Sequence, residues 1–242
     1  MIAVDATDEY VDIVLWRPDR ANALSPEMVD SLTATMDGAV ERGVRYVIIR
    51  GEGKHFCAGF DLASDEEGVL NLRFMQLERL LSKIAYAPIP TIACVNGAAI
   101  GAGADLVAAC TFRVGTRDVR LRFPGPRFGV TLGTRRLRRL VGADWACRLL
   151  LLQEQVGAVD ALGMGLLSQL VEGDADLIDA GREIGRRLAV VDAETQAAIL
   201  RIVRSGDATE ELGELCLSTS RPGLRDRFVE YSRATRGGDR RG

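Results

Sequence analysis

Hydrophobic spacing divides the chain into an alternating first half and a helical second half. Residues 10–15 (YVDIVL) alternate and predict a strand. RPDRANALSPEM follows as a turn-rich loop, and Ser25-Pro26-Glu27 has the order of a helix start: a hydroxyl cap, a proline in the first turn, an acid at the positive dipole end. Leu24, Met28, Leu32 and Met36 then recur every fourth residue and predict a helix running to about Glu41. Val47-Ile48-Ile49, stopped by Gly51 and Gly53, predicts a short strand buried on both faces. Leu70, Phe74, Leu77, Leu81 and Ile84 mark a second amphipathic helix, ended by Pro88-Ile89-Pro90. Thr91–Val95 and Thr111–Gly115 predict two more strands, and from Thr134 onward the pattern is helical with single glycine breaks. This order predicts an α/β core with a helical C-terminal part.

Composition narrows the function classes. The chain has 242 residues, enough for one large domain or two small ones, with 47% hydrophobic and 27% charged residues. A net charge of −3 gives no general reason to expect nucleic acid or an anionic membrane as partner. The stretch MIAVDATDEYVDIVLW lacks a basic segment followed by an apolar run, so no signal peptide is expected. No uncharged apolar run approaches the roughly 18 residues of a spanning helix. The five cysteines stand singly, which predicts free thiols and a cytoplasmic location. A single histidine, His55, argues against a zinc site, and no metal is expected.

Two glycine-rich loops carry the candidate chemistry. GEGKHFCAGFDL and NGAAIGAGADL each follow a buried strand and lead into helical sequence. Such loops offer free backbone N–H groups at the positive end of a helix dipole, and two side by side can aim donors at one developing oxyanion. GAGADL begins like a dinucleotide fingerprint, but Leu106 stands where the third glycine belongs. In residues 96–110 only Asp105 is charged, at the start of a helix that reads as buried. A lone carboxyl there is costly unless paired or neutral.

Several stretches in fixed order resemble the crotonase (enoyl-CoA hydratase/isomerase) superfamily: RPDRANALSPEM, VIIRGEGKHFCAGFDL, PTIACVNGAAIGAGADLVAACTFRVG, AVDALGMGLLSQLVE and RPGLRDRFVEY. The resemblance implies an α/β fold, a crotonase-like spiral of ββα units with a helical C-terminal region. It divides the chain into a core over residues 1–190 and a helical oligomerisation region over 191–242. It also implies acyl-CoA thioester substrates, no cofactor beyond that CoA, and a homotrimer or dimer of trimers, with neither nucleic acid nor membrane as partner. By position the oxyanion donors are the N–H groups of Phe60 and of Ala102, where many relatives carry glycine. Asp105 falls where hydratases carry their first catalytic glutamate. CoA contacts fall to Arg20, Ala21, Ala23, Ala58, Asp61 and Leu62.

One departure bears on the reaction. Hydratases carry a second glutamate in a segment like FxxPExxxG, whereas this chain has FPGPRFGVTLG with Arg127 at that place. No carboxylate lies between Asp118 and Asp144. One aspartate suits proton transfer between two carbons better than hydration, which needs a group to activate water and another to deliver a proton. Arg127 is open to pairing with Asp105, holding a substrate carboxylate or facing solvent. The alternatives to a hydratase/isomerase are a non-catalytic acyl-CoA binding protein and a thioester hydrolase or C–C lyase. Asp61 and His55 read as structural, Asp65-Glu66-Glu67 as an acidic helix start, and the arginine-rich RRLRRL segment as a solvated helix face.

Overall fold

The computed structural model describes residues 1–61, 67–204, 206 and 208–238. Strands β1 (Ile2–Ala6), β2 (Tyr10–Leu15), β3 (Tyr46–Gly51), β4 (Thr91–Val95), β6 (Phe112–Thr116) and β9 (Gln169–Val171) form one sheet in the order β1-β2-β3-β4-β6-β9. The pairs from β2 to β9 are parallel, and only β1 runs antiparallel to its neighbour. A smaller sheet of β5 (Ala98–Ile100), β7 (Arg120–Arg122) and β8 (Val156–Gly157) lies in the order β5-β7-β8.

The spiral is visible in how the chain divides its strands. After β4 and β5 comes helix α3 (Ala102–Ala109), and after β6 and β7 comes α4 (Thr134–Leu151). Each of these turns gives its first strand to the large sheet and its second to the small one. Crossovers between parallel strands cover both faces of the sheet, which is why Val47, Ile48 and Ile49 are all fully buried.

Helix α1 (Pro26–Glu41) forms where the cap residues predict it: Ser25 accepts from the Met28 N–H, and Leu24, Met28, Leu32 and Met36 are fully buried. Helix α2 (Glu67–Ala85) turns Leu70, Phe74, Leu77, Leu81 and Ile84 into the core. The expected acidic start at residues 65 and 66 lies outside the described residues. The second half holds α5 (Ala158–Gly163), α6 (Asp174–Leu188), α7 (Ala193–Val203), α8 (Ala208–Thr219) and α9 (Leu224–Gly238).

Two expectations change. The strand expected at Thr111–Gly115 starts one residue later, and β1, β5, β7, β8 and β9 are strands that the spacing alone does not mark. All five have five residues or fewer, too short for a spacing pattern to mark them, so tertiary pairing decides them. The expectation of a solvated face at RRLRRL is overturned at Arg136, whose side chain is 3% exposed. It points inward with Leu137 because two acids wait there, as described below.

Candidate active site

The two glycine-rich loops leave neighbouring parallel strands and are tied to each other. The Phe56 N–H donates to Asn96 O at 2.8 Å, the Cys57 N–H to Ala98 O at 3.1 Å, and the Ile100 N–H back to Cys57 O at 2.9 Å. Gly59 has φ of 98°, and a Cβ there would stand 2.5 Å from Ile100 O and 3.4 Å from Ala102 N, so only glycine lets the loops approach this closely. A bridge pairs Phe60 with Leu24 through Gly59 O and the Asp61 N–H, which leaves the Phe60 N–H out of the ladder. Ala102 is the first residue of α3, so its N–H has no intrahelical acceptor.

Both residues line one cavity of about 140 Å³, together with Asp105. The rest of the lining is largely apolar. Phe60, Phe74, Phe123 and Leu132 come from the core, Phe128 from a turn after β7, and Phe228 and Tyr231 from α9. Asp105 is the one carboxylate among the lining residues. All eight residues of α3 are buried, and Asp105 is 6% exposed. Among the described residues its carboxyl has no hydrogen bond and no ion pair. Burial raises its pKa well above the ordinary carboxylate value; the nearby Arg136 pulls it down and Glu78 pushes it up.

Known proteins carry the same chain path. Residues 7–210 match the family model described as enoyl-CoA hydratase/isomerase. A Bacillus subtilis protein named among the enoyl-CoA hydratases is 31% identical over 229 residues, covering 90% of this chain and 88% of that one. The crotonyl-CoA hydratase of Syntrophomonas wolfei is 31% identical over 78% of this chain and 75% of its own. A solved Bordetella parapertussis structure, named with the enoyl-CoA hydratases/isomerases, superposes with a TM-score of 0.92 at 33% identity, covering 95% of this chain and 97% of that one. The chain belongs to the enoyl-CoA hydratase/isomerase family. Its spiral of ββα units is the crotonase fold, and it is an enzyme of the hydratase/isomerase type.

The remaining family positions divide by location. Ala58 lines the cavity, and its N–H donates to Ala21 O at 2.8 Å, which joins the loop after β2 to the loop after β3. Ala23 O accepts from Arg17 Nη1 at 2.8 Å, and Arg17 Nη1 also pairs with Asp61 Oδ2 at 2.9 Å. Asp61 therefore anchors the loop both by this side-chain ion pair and by its backbone N–H, which donates to Leu24 O at 3.0 Å. Arg20 is exposed on the adjoining short turn. Leu62 lies outside the described residues. Arg127 is exposed outside the cavity lining, with its guanidinium 5.2 Å from the centre of the Tyr231 ring. Its neighbours Pro126 and Phe128 line the cavity instead. His55 Nδ1 accepts from the Ala98 N–H at 3.3 Å, a structural contact between the loops.

Sequence reading passes over two features. Asn22 is fully buried with φ of 55°; it accepts from the Arg17 N–H and donates to Glu52 O and His55 O, each at 2.8 Å. Its signal is the residue type, because asparagine tolerates the left-handed region inside a turn-rich loop. The second is the buried set Glu78, Arg136 and Glu211. Arg136 Nη1 and Nη2 meet the two Glu78 carboxylate oxygens at 2.6 and 2.7 Å, and Nη1 also meets Glu211. Partners 58 and 75 residues apart leave no local sequence signal.

Proposed function

We propose that this enzyme moves a proton within an enoyl-CoA thioester, using the N–H groups of Phe60 and Ala102 as an oxyanion hole and Asp105 as the acid/base. The observation that supports this reading is that Phe60, Ala102 and one buried carboxyl, that of Asp105, line a single largely apolar cavity. Asp105 takes a proton from the carbon beside the thioester carbonyl. The electron pair left behind moves onto the carbonyl oxygen, where the two donors hold it. The same Asp105 returns the proton two carbons along, and the double bond shifts. Each oxyanion donor lowers the barrier by about 3–4 kcal/mol. A pKa raised by burial brings a carboxyl toward neutrality, where it both takes and gives a proton.

The single carboxylate favours isomerisation over hydration, which needs a second group for water. Arg20, Ala21, Ala23, Ala58, Asp61 and Leu62 hold the CoA part in this reading, and no cofactor is needed beyond it. Arg127 takes part in substrate binding only as a group at the cavity rim. Residues 191–242 contribute to a homotrimer or dimer of trimers in the cytoplasm; among the described residues no helix is long and apolar enough to cross a membrane. The test is incubation with β,γ-enoyl-CoA in heavy water. Expected is double-bond migration with no gain of water, with deuterium entering only as far as Asp105 exchanges its proton with solvent before returning it. Formation of a hydroxyacyl product overturns isomerisation, and tight binding without turnover favours the binding-protein alternative.

A further inference from the structure

The Asp105 carboxyl and the Arg136 guanidinium both lie close to one glycine, Gly133. A Cβ built on Gly133 would stand 2.5 Å from Asp105 Oδ1 and 3.6 Å from Arg136 Nη2. Gly133 has φ of 63° and caps α4, the helix that carries Arg136 one turn later. An arginine this close to a buried carboxylate ordinarily pairs with it, yet no ion pair forms between them among the described residues.

The reason is competition. Glu78, on α2, takes both terminal nitrogens of Arg136 and also accepts from Ser82 Oγ at 2.8 Å. Glu211, on α8, takes Nη1 from the other side and is itself held by Arg139 Nη2 at 2.7 Å and Tyr86 OH at 3.0 Å. Glu78, Arg136 and Glu211 are each no more than 3% exposed. The charged groups facing Asp105 are therefore Arg136 from α4 and Glu78 from α2, with Glu211 from α8 and Arg139 behind them. Two acids on one guanidinium outweigh a third that offers it no bond.

We propose that Glu78 and Glu211 are positioning residues, which hold the Arg136 guanidinium to themselves and so leave Asp105 without a counter-ion in the cavity. The proposal rests on the reading of Asp105 as the acid/base. Without the two acids, Arg136 would turn toward the nearest remaining carboxylate and fix Asp105 as a permanent anion, a weaker base and a poor proton donor. The balance of charge agrees: Glu78 opposes the pull that Arg136 exerts on Asp105. The same device links α8, in the C-terminal helical region, to the chemistry.

The test follows Asp105 itself, by carboxyl-carbon NMR titration of the full chain with the Asp105→Asn variant for assignment. In Glu78→Gln the Asp105 midpoint should fall by about 1–3 pH units, the range for a carboxylate gaining an adjacent cation. The acidic limb of kcat/KM should move the same way. Glu211→Gln, which leaves Arg139 and Tyr86 in place, should move it less in the same direction. The double variant Glu78→Gln/Arg136→Met replaces the buried pair together, the kind of exchange folds tolerate, and should return the midpoint to the wild-type value or above. An unmoved midpoint in the folded single variants, or a double variant that stays low, overturns the proposal; a purely structural pair would change melting temperature alone. The NMR midpoint does not depend on turnover. A fully active Asp105→Asn would therefore refute the catalytic reading while the midpoint still judged the network.

Discussion

At the scale of single residues, one buried carboxyl carries most of the consequence. Asp105→Asn keeps the size of the side chain but cannot take a proton, so turnover should fall about 10²–10⁴-fold. The backbone donors are untouched, and calorimetry should find acyl-CoA affinity nearly unchanged; an unchanged kcat would make Asp105 structural. The same residue predicts a pH signature in stability. Its folded pKa is raised above the unfolded value of about 3.9. Its stabilising contribution is thus fully present below the unfolded pKa and is lost as pH rises through the folded one. The melting temperature of Asp105→Asn should therefore gain on wild type as pH rises, and a gap independent of pH would contradict the raised pKa. Arg127 is the contrasting residue. It is exposed and stacked on Tyr231 rather than aimed into the cavity. Arg127→Ala should cost about 0.5–1 kcal/mol of stability, the worth of an exposed cation–π contact, and leave KM within about twofold, less than one pair interaction is worth. A KM rise confined to dicarboxylic acyl groups would instead give Arg127 the carboxylate-binding role.

At the scale of elements, α9 closes the cavity. Phe228 packs edge-on against Phe128 with ring centres 4.6 Å apart, and both line the space beside Asp105. A cavity of about 140 Å³ is close to one that accommodates benzene, so it suits a short apolar acyl group. Phe228→Leu should cost about 1–1.5 kcal/mol and move the best acyl length upward in a kinetic series of thioesters. An equal loss at every length would mean that α9 supports the fold without shaping the acyl site. The kink at Gly142, where φ is 80° and ψ 171°, divides α4 into an arm that carries Arg136 and one that carries Leu150 to the cavity. One helix thus serves both the charge network and the cavity wall.

For the whole molecule, the apolar side chains left on the surface point to assembly. Leu151 and Leu152 at the end of α4 are 73% and 67% exposed, and Val159 on α5 is 64% exposed. Ile202 and Val203 on α7 are exposed as well. Exposed large apolar side chains in this number are a common mark of a protein interface. Light scattering at micromolar concentration should give a trimer or hexamer, and a monomer would remove the oligomerisation role from residues 191–242. That region also reaches the candidate site, through Phe228 and Tyr231 at the cavity and Glu211 at Arg136.

What the sequence determined by itself was local chemistry and its order. Ser25-Pro26-Glu27 specifies a helix start because cap, proline and acid act within one turn. YVDIVL and TIACV form strands over the residues that the pattern marks. NGAAIGAGADL announces a loop and a buried acid because a lone charge among small residues calls for a reason. Tertiary structure alone decided the rest. Residues 98–100 become a strand only because β7 runs beside them. RRLRRL reads as a solvated face until Glu78 and Glu211 arrive from α2 and α8, for a buried arginine is stable only against partners that no local pattern can supply. Arg127 occupies a catalytic place in the family's spacing, yet the turn at residues 125–128 directs Pro126 and Phe128 inward and leaves its own charge in water, where solvation is strongest.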